Sequence, residues 1–176
     1  MTIVNSRHPR VNSALNPAFN STLNPMYNSR LNPVCNSAIN PRYNSVLNPR
    51  YNSSVNPRYN SAINPRYNSV INPRYNSVIN PRYNSTINPN HTPNIAGLYL
   101  FDWVSLGLSG FAVKASEGIY VVFDLEQKFS GVVARATNNV FVWHDESGNY
   151  LGQWVLAQGN TFILYDASTK VVGLTT

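Results

Sequence analysis

Asn64-Pro-Arg-Tyr-Asn-Ser-Val-Ile71 is followed without a break by Asn72-Pro-Arg-Tyr-Asn-Ser-Val-Ile79, an identical eight residues. The same unit, Asn-Pro-x-Φ-Asn-Ser-x-Φ with Φ a large apolar residue, can be followed outward in both directions. Its copies begin at His8, Asn16, Asn24, Asn32, Asn40, Asn48, Asn56, Asn64, Asn72 and Asn80, and a half-unit at Asn88 fails at Asn90-His91-Thr92-Pro93. A Pro at every eighth position removes a helical hydrogen bond and clashes with the preceding turn, so no continuous α-helix can form. Each Asn before Pro is driven toward extended geometry. Asn-Pro-x-Φ then reads as a β-turn, with the Asn side chain bonding the backbone two residues on. Asn-Ser-x-Φ reads as a second turn or a short strand. The two apolar residues held at fixed phase separate this array from a disordered linker. The expectation for residues 1–94 is an ordered solenoid or turn-spiral, with two octapeptides per coil, stacked coils and Asn amide ladders between them.

Charge divides the chain at the same place. Residues 1–94 carry nine Arg and no Lys, Asp or Glu; residues 95–176 carry seven acids against four bases, giving +9 and −3 and the net +6. Such asymmetry points the basic part toward a polyanion or toward the acidic part of its own kind. Arg42, Arg50, Arg58, Arg66, Arg74 and Arg82 recur every eight residues, each followed by a Tyr: Tyr43, Tyr51, Tyr59, Tyr67, Tyr75 and Tyr83. Adjacent residues of an extended chain face opposite ways, so a buried Tyr implies outward rows of guanidinium groups. Those rows either solubilise the array, grip an anionic polymer, or dock to another protein, including a second copy.

From residue 95 onward the pattern becomes short apolar runs. Leu98-Tyr-Leu-Phe-Asp102, Tyr120-Val-Val-Phe-Asp124, Phe141-Val-Trp-His-Asp145 and Phe162-Ile-Leu-Tyr-Asp166 align, each followed by a polar turn and then by Gly110, Gly131, Gly152 or Gly173. Asp opens tight turns by bonding its own backbone. Residues 95–176 are therefore expected to be four β-hairpins of about 21 residues in an antiparallel meander, as a small barrel, a curved sheet or a hairpin stack. The whole chain is read as all-β.

The aromatic-Asp step, the Gly148 three residues beyond Asp145, the pair Gly152 and Trp154, and the period near 21 resemble the choline- and glucan-binding hairpin repeats of bacterial surface proteins. The Tyr165-Asp166 step is similar to the Tyr-Asp repeats of polymorphic-toxin shells. The Asn-Pro spacing of the array resembles the turn-forming repeats of malarial circumsporozoite coat proteins, which lack the periodic Tyr and Ile found here. The hairpin resemblance implies sugar or quaternary-amine contacts at aromatic residues, for which Trp103, Trp143 and Trp154 are the candidates.

No phosphate-cradling Gly loop, nucleophile elbow or metal-ligand spacing is present. His144-Asp145-Glu146 is the densest titratable cluster, but three adjacent residues at a strand end do not converge. Cys35 stands alone, so no intrachain disulfide forms. No charged stretch leads into an apolar run at the N-terminus, and no apolar run has the length of a membrane span, which leans slightly toward the cytoplasm, with export lacking a cleaved signal as the alternative. No enzyme, cofactor or metal is expected. The expected function is a structural or adhesive repeat protein, a rigid stalk with a β-hairpin head that self-associates as a homo-oligomer or filament or docks to a partner. The alternative is a polyanion- or carbohydrate-binding module.

Overall fold

The two Asn residues of each octapeptide organise its backbone. In the computed structural model, which describes residues 6–176, Asn64 Oδ1 accepts the backbone N–H of Arg66 (2.9 Å). The carbonyl of Asn64 accepts from the N–H groups of Tyr67 (3.0 Å) and Asn68 (2.9 Å). Asn68 then caps a single 3-10 turn, Ser69–Ile71, through its Oδ1 and the N–H of Val70 (3.0 Å). Ten such turns run from Ser13–Leu15 to Ser85–Ile87. The Asn amide nitrogens look backward: Asn64 Nδ2 donates to the carbonyl of Pro57 (2.8 Å) and Asn68 Nδ2 to that of Ala62 (2.6 Å). Each octapeptide is thus tied to the one before it, which satisfies carbonyls that no strand or helix ladder reaches. Asn64→Asp keeps the turn but loses the donor to Pro57. It is expected to cost about 1–3 kcal/mol, seen as a lower denaturation midpoint; an unchanged midpoint would show that the amide ladder contributes nothing.

The array is a succession of turns, without the short strands expected of a two-octapeptide coil. No strand forms within it among the described residues. Its inward face is the contiguous trio Φ-Asn-Pro: Leu23, Leu31, Ile39, Leu47, Val55, Ile63, Ile71, Ile79 and Ile87 are buried, with most of the prolines. The Tyr slot, expected inside, is 74–77% exposed from Tyr43 to Tyr83. The reason is geometric. An octapeptide that closes on itself through two capped turns can present only one edge to a partner surface, and the Ile–Asn–Pro edge takes it.

That surface belongs to an eight-stranded antiparallel barrel. Its strands are β1 (Leu98–Asp102), β2 (Leu108–Ser116), β3 (Ile119–Phe123), β4 (Phe129–Arg135), β5 (Val140–Asp145), β6 (Tyr150–Gln158), β7 (Thr161–Asp166) and β8 (Val171–Thr175). They pair in sequence order, and β8 closes on β1 with Leu174 opposite Phe101. The four hairpins repeat as expected. Asp124, Asp145 and Asp166 each accept backbone N–H groups two and four residues on, and Asp102 those two and three residues on. Gly110, Gly131, Gly152 and Gly173 lie opposite register shifts, where a Cβ would fall within 1.9–2.5 Å of a carbonyl oxygen on the next strand. Gly is required there because the backbones themselves touch.

The barrel has two apolar faces. Tyr120 of β3 contacts Phe162 of β7 (ring centroids 6.2 Å) although these strands stand opposite one another in the ring. The contact therefore crosses the interior, which Leu98, Leu100, Val133, Phe141, Trp154 and Leu164 also fill. The alternate residues, among them Tyr99, Phe111, Phe123, Val155, Ile163 and Leu174, point outward and form a single core with the Leu and Ile residues of the array. The array is a belt around the barrel. Leu31 O accepts from Tyr165 Oη on β7, Ile39 O from Gln153 Nε2 on β6 (2.5 Å), the Ser45–Leu47 turn packs on β5, and the Ser69–Ile71 and Ser77–Ile79 turns pack on β2. The ends of the belt meet at Arg7, whose guanidinium donates to the carbonyls of Ile95 (3.0 Å), Gly97 (2.5 Å) and Thr176 (2.5 Å) and lies over the Tyr99 ring. The expected stalk with a separate head is thus replaced by a belt and barrel sharing one core. No helix among the described residues is long and apolar enough to cross a membrane.

Candidate functional site

With Pro and Ile facing in, positions three and four of each octapeptide, Arg and Tyr, both face solvent. Arg42, Arg50, Arg58, Arg66, Arg74 and Arg82 form one row, and Tyr43, Tyr51, Tyr59, Tyr67, Tyr75 and Tyr83 run beside it. None of these six guanidinium groups forms an ion pair with a carboxylate among the described residues. The ion pairs found, Lys114–Glu117, Lys128–Glu126 and Arg135–Glu117, all lie on the barrel. The Arg side chains face solvent as expected, and the Tyr side chains, expected inside, are exposed beside them.

The earlier octapeptides differ. Ala18, Met26 and Val34 replace Arg, and Phe19, Tyr27 and Cys35 occupy the aromatic slot, so these two slots are largely apolar here, with Arg30 an exposed base in the same octapeptides: Phe19 is 78%, Met26 82% and Val34 84% exposed.

The Arg row runs along the end of the barrel that carries the Asp turns. A groove of about 900 Å³ there has Arg66, Arg74 and Arg82 on one wall and Asp124, Lys128, Asp145 and Glu146 on the other. A smaller cleft of about 280 Å³, between Arg58, Arg66 and the Asp145–Gly148 turn, has the same mixed sign. A third, of about 300 Å³, is lined by Asn48, Pro49, Arg50, Asn56 and Arg58 from the belt and His144, Gly148, Asn149 and Tyr150 from the barrel, with no acid in its wall. His144 is 2% exposed. Burial pushes its pKa down to about 4 against a weaker opposing pull from Asp145, so the ring is neutral at neutral pH. Burial, helped by Asp166, pushes the Tyr150 phenol up to about 12.

The three Trp positions do not join this surface. Trp154 is fully buried inside the barrel and Trp143 packs against the same interior cluster, with the two rings in edge contact (5.9 Å). Trp154 offers no face to a sugar or quaternary amine in solvent, and Trp143 is half-buried, because strand alternation turns both toward the interior. Trp103, just past β1, is partly buried against the belt-facing core. Tyr150 escapes a reading based on aromatic-Asp steps, although its pairing with His144 follows from hairpin register once the turn is placed. Among the described residues no group of three or more His, Cys, Asp or Glu could hold a metal ion.

Comparison with protein-family models, with curated proteins and with solved structures found no match to this chain.

Proposed function

We propose that this chain is a non-catalytic binding module for a polyanion, in which an aromatic-filled barrel holds the belt in a ring and the belt presents its arginines and tyrosines to the polymer. The observation that carries the reading is the sixfold recurrence of a solvent-facing Arg without a carboxylate partner beside a solvent-facing Tyr. Guanidinium groups engage phosphate, sulfate or carboxylate bidentately, and phenol rings stack on bases or sugar faces. Rigid presentation lowers the ordering cost that a flexible basic tail would pay on binding.

The test is binding to heparin and to a single-stranded oligonucleotide across a salt series. Affinity should fall steeply with salt. For the oligonucleotide, replacing Arg42, Arg66, Arg74 and Arg82 together by Gln should flatten the log–log slope by roughly 3, because each phosphate left unneutralised removes about 0.7 from it. Salt-independent binding, or a slope the quadruple variant leaves alone, would refute the reading.

A second reading, self-association, is favoured by the apolar sector at Phe19, Met26, Tyr27 and Val34, since contiguous exposed apolar surface marks interaction sites. Light scattering over a concentration series separates the two, because an assembly through that sector is strengthened, not dissolved, by salt.

A further inference from the structure

The fourfold repeat of the barrel supplies its own controls. At each register shift the residue before the Asp pairs with the residue two before the Gly. In three hairpins these pairs are Phe101 with Leu108, Phe123 with Phe129, and Tyr165 with Val171. All three are apolar under the belt except for the Tyr165 hydroxyl, which donates to the carbonyl of Leu31. In the remaining hairpin the equivalent pair is His144 with Tyr150. Here both members carry polar atoms, and those atoms are not used internally. The Tyr150 hydroxyl is buried without a hydrogen-bond partner, and neither nitrogen of the His144 ring is bonded to another described residue. A buried hydroxyl left unpaired is costly, and Tyr150 and His144 both line one cleft.

The belt over that cleft matches the departure. The octapeptides there contribute Arg50 and Arg58, and the wall lacks the Asp145 and Glu146 carboxylates that line the neighbouring grooves. The amides of Asn48 and Asn56 each give one N–H to the belt ladder, donating to Pro41 and Pro49, and that of Asn149 gives one to Asp145. The donors that this lining offers are the Tyr150 hydroxyl, a ring N–H of His144 and two guanidinium groups; no carboxylate lines the cleft, and Asp145 and Asp166 act on His144 and Tyr150 from outside it.

We propose that the cleft over the His144–Tyr150 pair binds one oxyanion, a phosphate, sulfate or carboxylate group, held by Arg50 and Arg58 at its mouth and by the Tyr150 hydroxyl and His144 ring at its floor. The site is discrete and saturable, one per chain. It stands apart from the distributed belt surface, so it does not depend on a polymer being the ligand.

The experiment titrates the intact chain with inorganic phosphate, sulfate and acetate, with chloride compensating ionic strength. The readouts are thermal unfolding and the nitrogen-15 resonances of the His144 ring. At least one of the three anions should raise the unfolding temperature saturably and shift the His144 ring signals; a response to acetate alone assigns a carboxylate ligand, and a response to phosphate or sulfate a tetrahedral one. Tyr150→Phe removes a hydroxyl with no internal partner, so its unfolding without anion should be unchanged or later, while affinity for the anion falls roughly tenfold or more. Arg50→Gln with Arg58→Gln should do the same to affinity. The quadruple variant at Arg42, Arg66, Arg74 and Arg82 should retain the response, which keeps failure of the pocket distinct from failure of polyanion binding. No saturable effect from any of the three anions, or an effect undiminished in Tyr150→Phe, would overturn the proposal.

Discussion

Residues 95–176 produced without the array are expected not to yield a soluble, natively packed monomer. The barrel would expose its outward apolar row, including Tyr99, Phe101, Phe111, Phe123, Ile163 and Leu174, all of them buried beneath the belt. Burying a large apolar side chain is worth roughly 1.5–3 kcal/mol. Uncovering that whole row therefore gives up more than the roughly 5–15 kcal/mol by which a domain is stable. The expected products are oligomers or a dye-binding, loosely packed state, detected by size-exclusion chromatography with light scattering and by near-ultraviolet circular dichroism. A monomer with native near-ultraviolet signal would mean that the belt is an accessory to a self-sufficient barrel. The intact chain, by contrast, should unfold in one transition, since its two parts bury the same surface.

The second large effect is expected at Gly152. Its φ is +149°, and a Cβ there would lie 1.9 Å from the carbonyl oxygen of Tyr165 and 2.9 Å from the Cα of Asp166. Nothing in that pair can move aside, because both atoms are backbone of the adjacent strand. Gly152→Ala should cost more than about 4 kcal/mol, the range reserved for steric disruption of a core, and should abolish cooperative unfolding or shift its midpoint far down. Gly159→Ala is the control. Its φ is +52° with no atom within 4 Å of the added methyl group, so only the left-handed backbone penalty of about 1 kcal/mol applies. Equal losses at the two positions would show that close strand approach is not what demands glycine in the barrel.

How much of this could be read in the chain depends on the range of the interactions involved. The turns of the array were legible because each Asn cap closes within two residues and each amide bridge within seven, so one octapeptide and its neighbour contain the whole instruction. The four hairpins were legible for the same reason, since Asp124 and the N–H groups it binds are within four residues. Which apolar residue of an octapeptide turns inward was not local, because it is set by a barrel surface far away in the chain. A signal for that surface was nevertheless present. Leu98-Tyr-Leu-Phe, Tyr120-Val-Val-Phe and Phe162-Ile-Leu-Tyr are unbroken apolar runs, and strands written that way are buried on both faces. A lone hairpin meander has one face to bury; these runs call for a second cover, and the array is the only other part of the chain with apolar residues to supply it. The Tyr exposure follows once that cover is assigned. His144 was visible as the polar residue in an aligned aromatic column, but its meaning depended on knowing that the column lies under the belt.

The meeting of the belt ends at Arg7 constrains the array in a way that its repetitive sequence conceals. A solenoid is open-ended, and its copy number can drift because each added unit finds the same neighbour. Here ten octapeptides span a ring built from four hairpins, two and a half to each, so successive units meet the barrel at different phases, as on a vernier. A unit gained or lost would displace one end by a full octapeptide and carry Arg7 away from Ile95, Gly97 and Thr176. Copy number in this array is a circumference, set by the barrel it girdles.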